Sequence, residues 1–434
     1  MRRGQSLGGW RDFVEVREQV DAELRRGAVR PRVVRRVDAG WARETLGDRA
    51  ALLDHQASPL GPGVALPDDA AVARAYEERA AVPALDEDAP ARAVERIARA
   101  AAACGATIEV HLRHQRQRVW IRDDARAVGD ERSSVRLELS IGLPDGRPGT
   151  AVHRELAWDT PAGLAAAADD VDALITRARD DAARRQLAGP APAGTLPIVF
   201  PAGSDAAVFF HEVCGHPLEA DVVVRQASFL ARARGRVIAD SRVSVVDGPP
   251  ADIGYRAAID DEGAPVRTAK LIDGGRVADT LADAEHGAAL GVASGHGRRV
   301  GWRHPPVARM THTHMLGGAG SDTLASLLAP VARGLHVSHL TPRHMALGDG
   351  TFSFYVVEAR MIEDGVLGAW VGPCILEGRG LDALAAIEAV GGDARGFYGI
   401  KGCGKLDHGP LDVSFGCPSL RFGALTVRPW SPAT

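Results

Sequence analysis

The sequence predicts an α+β fold in two units, and three observations carry that expectation. Helix-like polar runs and period-two runs share the first 188 residues, Gly189-Pro-Ala-Pro-Ala-Gly194 makes a stiff divider, and short alternating runs punctuated by glycine fill the rest. A chain of 434 residues also exceeds the size at which one hydrophobic core usually stops growing. The expected units are residues 1–188, an α/β-sandwich-like domain with an antiparallel sheet, and residues 195–434, a β-rich domain carrying one chemically loaded helix.

Residues 11–30 and 67–81, rich in Ala, Arg and Glu with spaced apolar positions, read as helices. Residues 88–104 continue the pattern and stop at Cys104-Gly105, since glycine ends helices readily. Residues 106–112 and 116–121 then alternate apolar with polar, as two half-buried strands do. Residues 134–142 and 149–157 alternate around the turn-rich Leu143-Pro-Asp-Gly-Arg-Pro-Gly149, which predicts a hairpin. A helix over 161–187 closes the first unit. In the second, Leu196-Pro-Ile-Val-Phe200 reads as a strand, and Ser204-Asp205 as the cap of a helix starting near Ala206. Runs at 236–247 and 352–362 read as strands, and the patterns at 321–334 and 380–389 as helices.

Apolar residues at 45% and charged residues at 25% suit a globular protein. A formal net charge of -4 asks for no nucleic-acid partner, and the small basic cluster Arg298-Arg299 with Trp302-Arg303-His304 comes without a nucleic-acid module. Five scattered cysteines do not form a disulfide framework. No run reaches the roughly 18 to 20 apolar residues of a membrane span, and the N-terminus lacks the apolar core of a signal peptide. A reducing cytoplasm is the expected compartment.

Chemistry concentrates at Phe210-His211-Glu212-Val213-Cys214-Gly215-His216-Pro217-Leu218-Glu219. The pattern H-E-x-x-x-H is one residue longer than the H-E-x-x-H of zinc peptidases. On an α-helix, residues i and i+4 lie about 40° apart but i and i+5 about 140° apart. The two imidazoles converge on one ion only if the helix widens to a π-like turn or ends at Gly215. Glycine there offers backbone freedom, and Pro217 a stop. Glu212 has the chemistry of a general base beside a metal-activated water. Cys214, inside the turn, reads as a packed core thiol.

A catalytic zinc takes three protein ligands, so a third must come from elsewhere. Glu219, Cys403, Cys417 and the pair His312/His314 are the options. Cys403 leads modestly: glycines flank it in Gly399-Ile-Lys-Gly-Cys-Gly-Lys405, and Lys401 and Lys405 favour its thiolate. Two imidazoles and a thiolate suit Zn2+, although copper or cobalt fit the same donors.

These stretches, with Gly295-His-Gly-Arg-Arg299, Pro306-Val-Ala-Arg-Met-Thr311, Ile375-Leu376 leading to Gly378, Cys403-Gly-Lys405 and Gly416-Cys-Pro-Ser-Leu420, resemble the TldD/PmbA metalloproteases on the zinc-binding, TldD side. The resemblance runs from about residue 195 to the end. It implies zinc on His211, His216 and Cys403, Glu212 as the catalytic residue, and hydrolysis of unfolded or precursor peptides in peptide natural-product maturation. It also implies a dimer, either of this chain or with a PmbA/TldE-like subunit. The sequence departs from the family pattern at Ala220, at Cys417 and over Leu406-Asp-His-Gly-Pro410. Two further readings follow from the residues: a metal-dependent enzyme acting on a small amide, and a silent cavity-forming subunit. The second gives Glu212 no task.

Overall fold

The structure, a computed structural model, describes residues 9–46, 54–61, 64, 68–320, 322–398, 402–405 and 408–430. Its first unit is a six-stranded antiparallel sheet of β1 (Gly9–Leu24), β2 (Arg32–Leu46), β3 (Asp54–Pro59), β4 (Thr107–Asp123), β5 (Ala127–Gly142) and β6 (Val152–Trp158), ordered β3-β2-β1-β4-β5-β6. Helices α1 (Ala70–Ala80), α2 (Asp88–Ala103), α3 (Pro161–Ala166) and α4 (Ala168–Arg185) complete it. Val94, Ile97, Val171 and Ile175 of α2 and α4 pack on Leu112, Leu137 and Leu139 of the sheet.

Residues 11–30 are not helical: the chain from Gly9 to Leu24 is strand β1. Val14 and Val16 pack with Val72 and Ala75 of α1, and Ala22 and Leu24 pack with α2. The expected period-two signal is broken by Glu18, buried and held by Arg116 at 2.5 Å and Arg118 at 3.1 Å. Covering both faces lets paired charges sit where apolar residues would otherwise mark a strand. The two strands expected at 106–112 and 116–121 are one, β4, because Arg113 in the gap pairs with Asp21 at 2.9 Å. The hairpin at 134–157 forms as β5 and β6.

The second unit begins with β7 (Gly194–Phe200) and α5 (Ala206–Phe210), followed by α6 (Ala220–Val224), β8 (Val245–Asp247), β9 (Ala269–Asp273), β10 (Arg276–Val277) and α7 (Ala284–Leu290). Next come β11 (Gly297–Arg298), β12 (Val307–Ala308), β13 (His312–Met315), α8 (Leu324–Leu328), β14 (Arg333–Met345), β15 (Thr351–Glu363), β16 (Val366–Val371) and β17 (Cys374–Arg379). The chain ends with α9 (Gly380–Ala385), β18 (Ile387–Val390), β19 (Arg395–Phe397), β20 (Cys403–Lys405), β21 (His408–Leu411), β22 (Ser414–Cys417) and β23 (Leu420–Pro429). Strand β14 pairs with both β7 and β15, so β14-β7-β23-β17-β15 closes into a barrel. A second sheet runs β10-β9-β8-β13-β22-β19.

Three expectations shrink here. Only 245–247 of the run 236–247 is strand, the helix expected at 321–334 is confined to 324–328, and 380–389 splits into α9 and β18. In each, tertiary hydrogen bonding outweighs local pattern. Phe209 of α5 meets Phe352, Phe354 and Phe422 at centroid distances of 5.4, 6.0 and 5.5 Å, which anchors the site helix to the barrel core. No helix among the described residues is long and apolar enough to cross a membrane.

Candidate metal centre

Helix α5 does not continue as an α-helix. From His211 to Gly215 the backbone is a π-turn, in which the His216 N–H bonds to the His211 carbonyl. That bond brings residue i+5 over residue i, so the two imidazoles meet edge to face with centroids 5.0 Å apart. Gly215 serves the turn differently from the sequence expectation. Its φ of -64° is open to any residue, but a Cβ would lie 2.0 Å from Met310 Sδ. The chain leaves the motif at Glu219, whose ψ of 135° is extended.

Cys403 enters from β20, one residue after Gly402, which holds a left-handed φ of 70°. Its Sγ lies 3.0 Å from His211 Nε2 and 3.2 Å from His216 Nε2. Among the described residues these three form the one group of His, Cys, Asp or Glu with ligand atoms all within 4.8 Å of one another. Tetrahedral zinc with bonds of about 2.0–2.3 Å holds its donors roughly 3.5 Å apart, and this set fits. Burial opposes charge on the sulfur, but His211 and His216 outweigh it and hold Cys403 well below the usual thiol range. The thiolate is the form that ligates.

The surroundings orient each donor. Glu219, weighed from sequence as a ligand, stands behind the site, its Oε1 3.3 Å from His216 Nδ1. That arrangement turns Nε2 of His216 toward Cys403, where a metal would be held. Burial would raise Glu219, yet His216, Lys405 and Arg309 hold it down at about 2. Lys405 lies 2.8 Å from Glu219 and 2.7 Å from Asp221, so its charge goes to carboxylates and not to the thiolate; Lys401 lies outside the described residues. Among the described residues Arg309 supplies a cation at the sulfur, donating at 3.1 Å to both the Cys403 carbonyl and its Sγ. Thr313 Oγ1 stands 3.5 Å from His211 Nδ1 and donates to Asp247 at 2.7 Å, a relay that no sequence spacing signals.

The other candidates are elsewhere. Cys417 Sγ bonds the Ser204 carbonyl at 3.8 Å, and His312 bonds Ser414 at 2.7 Å, with His314 beside it at a centroid distance of 4.7 Å. Cys214 is buried and its thiol is pushed up by burial alone, as a core residue's would be. Arg298 and Arg299 are buried in the fold, Arg298 on the Met310 carbonyl at 2.6 Å and Arg299 against Glu44. Arg303 pairs with Asp38 at 2.6 Å. Glu212 is half-buried and lines a cavity of about 200 Å³ with His211, His216 and Cys403. Asp205 and His339 line it too, and the sequence reading missed both roles. The helix cap falls to Ser204 Oγ, which accepts the Ala206 N–H at 3.3 Å, while Asp205 turns to His339.

The PmbA/TldA metallopeptidase C-terminal domain model matches residues 193–429, more than half of the chain. The chain belongs to the TldD/PmbA family. A metalloprotease TldD homolog of Haemophilus influenzae is 30% identical over 316 residues, which cover 70% of this chain and 64% of that protein. A zinc metalloprotease TldD homolog of Saccharolobus solfataricus is 28% identical over 246 residues, covering 56% and 54%. The match thus spans less than two thirds of these curated relatives. Among solved structures, TldE from Thermococcus kodakarensis superposes with a TM-score of 0.76 at 17% identity, covering 97% of this chain and 96% of that one. A putative modulator of a DNA gyrase from Thermotoga maritima gives 0.73 at 17% identity, covering 96% and 95%. At that identity the likeness is one of fold, and it extends the TldD/PmbA architecture through the first unit.

Proposed function

We propose that this TldD/PmbA-family chain is a zinc-dependent metallopeptidase that hydrolyses unfolded or precursor peptides, with His211, His216 and Cys403 as ligands and Glu212 as general base. The observation that carries this reading is the meeting of two imidazoles, a thiolate-prone sulfur and a carboxylate at one cavity. When bound, zinc supplies a Lewis acid and lowers the pKa of water to about 7. Glu212 takes a proton from the attacking water and returns it to the leaving amine. Glu219 and the Thr313–Asp247 pair fix the imidazole orientation, and Arg309 stabilises the thiolate. A cavity of about 200 Å³ is small beside the roughly 300–1,000 Å³ of drug-sized pockets, which suits the residues flanking one scissile bond.

The proposed assembly is a dimer, either of this chain or with a PmbA/TldE-like subunit, and peptide natural-product maturation is the proposed setting. Metal analysis and a digest of unfolded peptides read by mass spectrometry test the core of the reading. The expected result is about one zinc per chain, lost in Cys403→Ala. Glu212→Gln should keep the zinc and lose activity by about 10²–10⁴-fold. A Glu212→Gln variant as active as the wild type would sink the assignment of the base.

A further inference from the structure

The cavity at the metal centre has a second acid–imidazole pair on its wall. His339, on β14, places Nδ1 against Asp205 Oδ2 just before α5, and the same carboxylate oxygen accepts the Leu340 N–H at 3.1 Å. Both side chains are largely covered, at 14% and 7% exposure. With Nδ1 engaged, Nε2 has no hydrogen-bond partner among the described residues, and the ring lines the cavity shared with His211, Glu212, His216 and Cys403. A structural tie between strand and helix needs only the Nδ1 contact. It gives no reason for the ring to line a peptidase cavity.

We propose that His339, oriented by Asp205, is a catalytic hydrogen-bond donor to the scissile carbonyl oxygen as that oxygen gains negative charge. The proposal rests on the metallopeptidase reading. In the step, water oxygen bonds the carbonyl carbon while Glu212 accepts its proton, and the C=O π pair moves onto oxygen, where Nε2–H of His339 meets it. The pair then returns, the C–N bond breaks, and the amine leaves with the proton from Glu212. Donors placed where charge develops are typically worth about 10²–10³-fold in kcat. The groups facing His339 support an imidazolium. Burial opposes it, but Asp205 first, then Glu358 and Glu155, raise His339 above the ordinary imidazole value. His153, stacked on it at 5.4 Å, is itself lowered by burial and by His339.

The test uses the zinc-loaded 434-residue chain with His339→Ala and the shape-conserving His339→Gln. Three quantities are read: zinc per chain, kcat and KM on unfolded peptides, and the affinity of a peptide phosphonamidate, whose tetrahedral oxyanion mimics the developing charge. Both variants should keep zinc and change KM within about threefold; His339→Ala should lose about 10²-fold in kcat and in phosphonamidate affinity together, and His339→Gln, whose amide N–H still donates, should lose less. Asp205→Asn, a change at a positioning residue, should shift the loss of phosphonamidate affinity to lower pH, which a purely structural role would not do. If His339→Ala binds phosphonamidate as tightly as the wild type while both hold zinc, this proposal alone is overturned. A wild-type chain that neither holds zinc nor cleaves peptide overturns the metallopeptidase reading and this inference with it.

Discussion

At Gly215 the energetics of a single methyl group decide whether the centre forms. The backbone there is right-handed, so the constraint is steric: Met310 Sδ occupies the space that a Cβ needs. Gly215→Ala is expected to destabilise the fold by about 2 kcal/mol through overpacking and to reduce zinc stoichiometry by displacing His216. Met310→Ala in the same chain should recover most of both losses, read by thermal denaturation and metal analysis. Recovery of stability without zinc would mean that the π-turn depends on more than this contact. The motif histidines were legible in the sequence because an i+5 spacing permits few geometries. The reason for the glycine was not, because Met310 reaches it only through tertiary packing.

Strand β14 shows how an element stores a pH response. His336, 7% exposed, has neither ring nitrogen hydrogen-bonded among the described residues, and burial, with Arg360 beside it, lowers it to about 4. An unfolded imidazole titrates near 6.5. Between those values the unfolded chain binds the extra proton, so stability is full above pH 6.5 and falls as pH drops toward 4, by about 3 kcal/mol in all. His336→Leu should remove this loss and raise urea-melt stability by about 2 kcal/mol more at pH 5 than at pH 8. An equal gain at both pH values would assign the effect to packing. Element types were readable where one face is apolar, as in α2 or the 134–157 hairpin. Strand β1 was not, since Glu18 occupies an apolar slot only because arginines of β4 neutralise it.

Across the whole molecule, the sheet of the first unit meets the second through charges. Arg132 reaches Asp261 at 2.7 Å, Arg11 reaches Glu262 at 2.9 Å, and the Trp302 N–H bonds Glu15 at 2.9 Å. Both partners of the Arg132–Asp261 pair are at most 5% exposed. Asp261→Ala, which removes one of the two carboxylates on that guanidinium and leaves Asp130 at 3.0 Å, should therefore cost about 3 kcal/mol in urea denaturation. A cost below about 0.5 kcal/mol would show that water solvates the contact. By itself the sequence determined the α+β class and displayed the H-E-x-x-x-H pair; it pointed to Glu212 as the proposed base and, through its likeness to the TldD/PmbA family, to Cys403 as the proposed third donor. These rest on local spacing and residue type, which a linear chain displays. Only the tertiary structure decided that Glu219 stands behind His216, that Arg309 faces the sulfur while Lys405 turns to carboxylates, and that Asp205 turns from a helix cap to His339. Each of those depends on where strands distant in sequence bring a charge, because electrostatic partners are fixed by distance in space and leave no periodic trace along the chain.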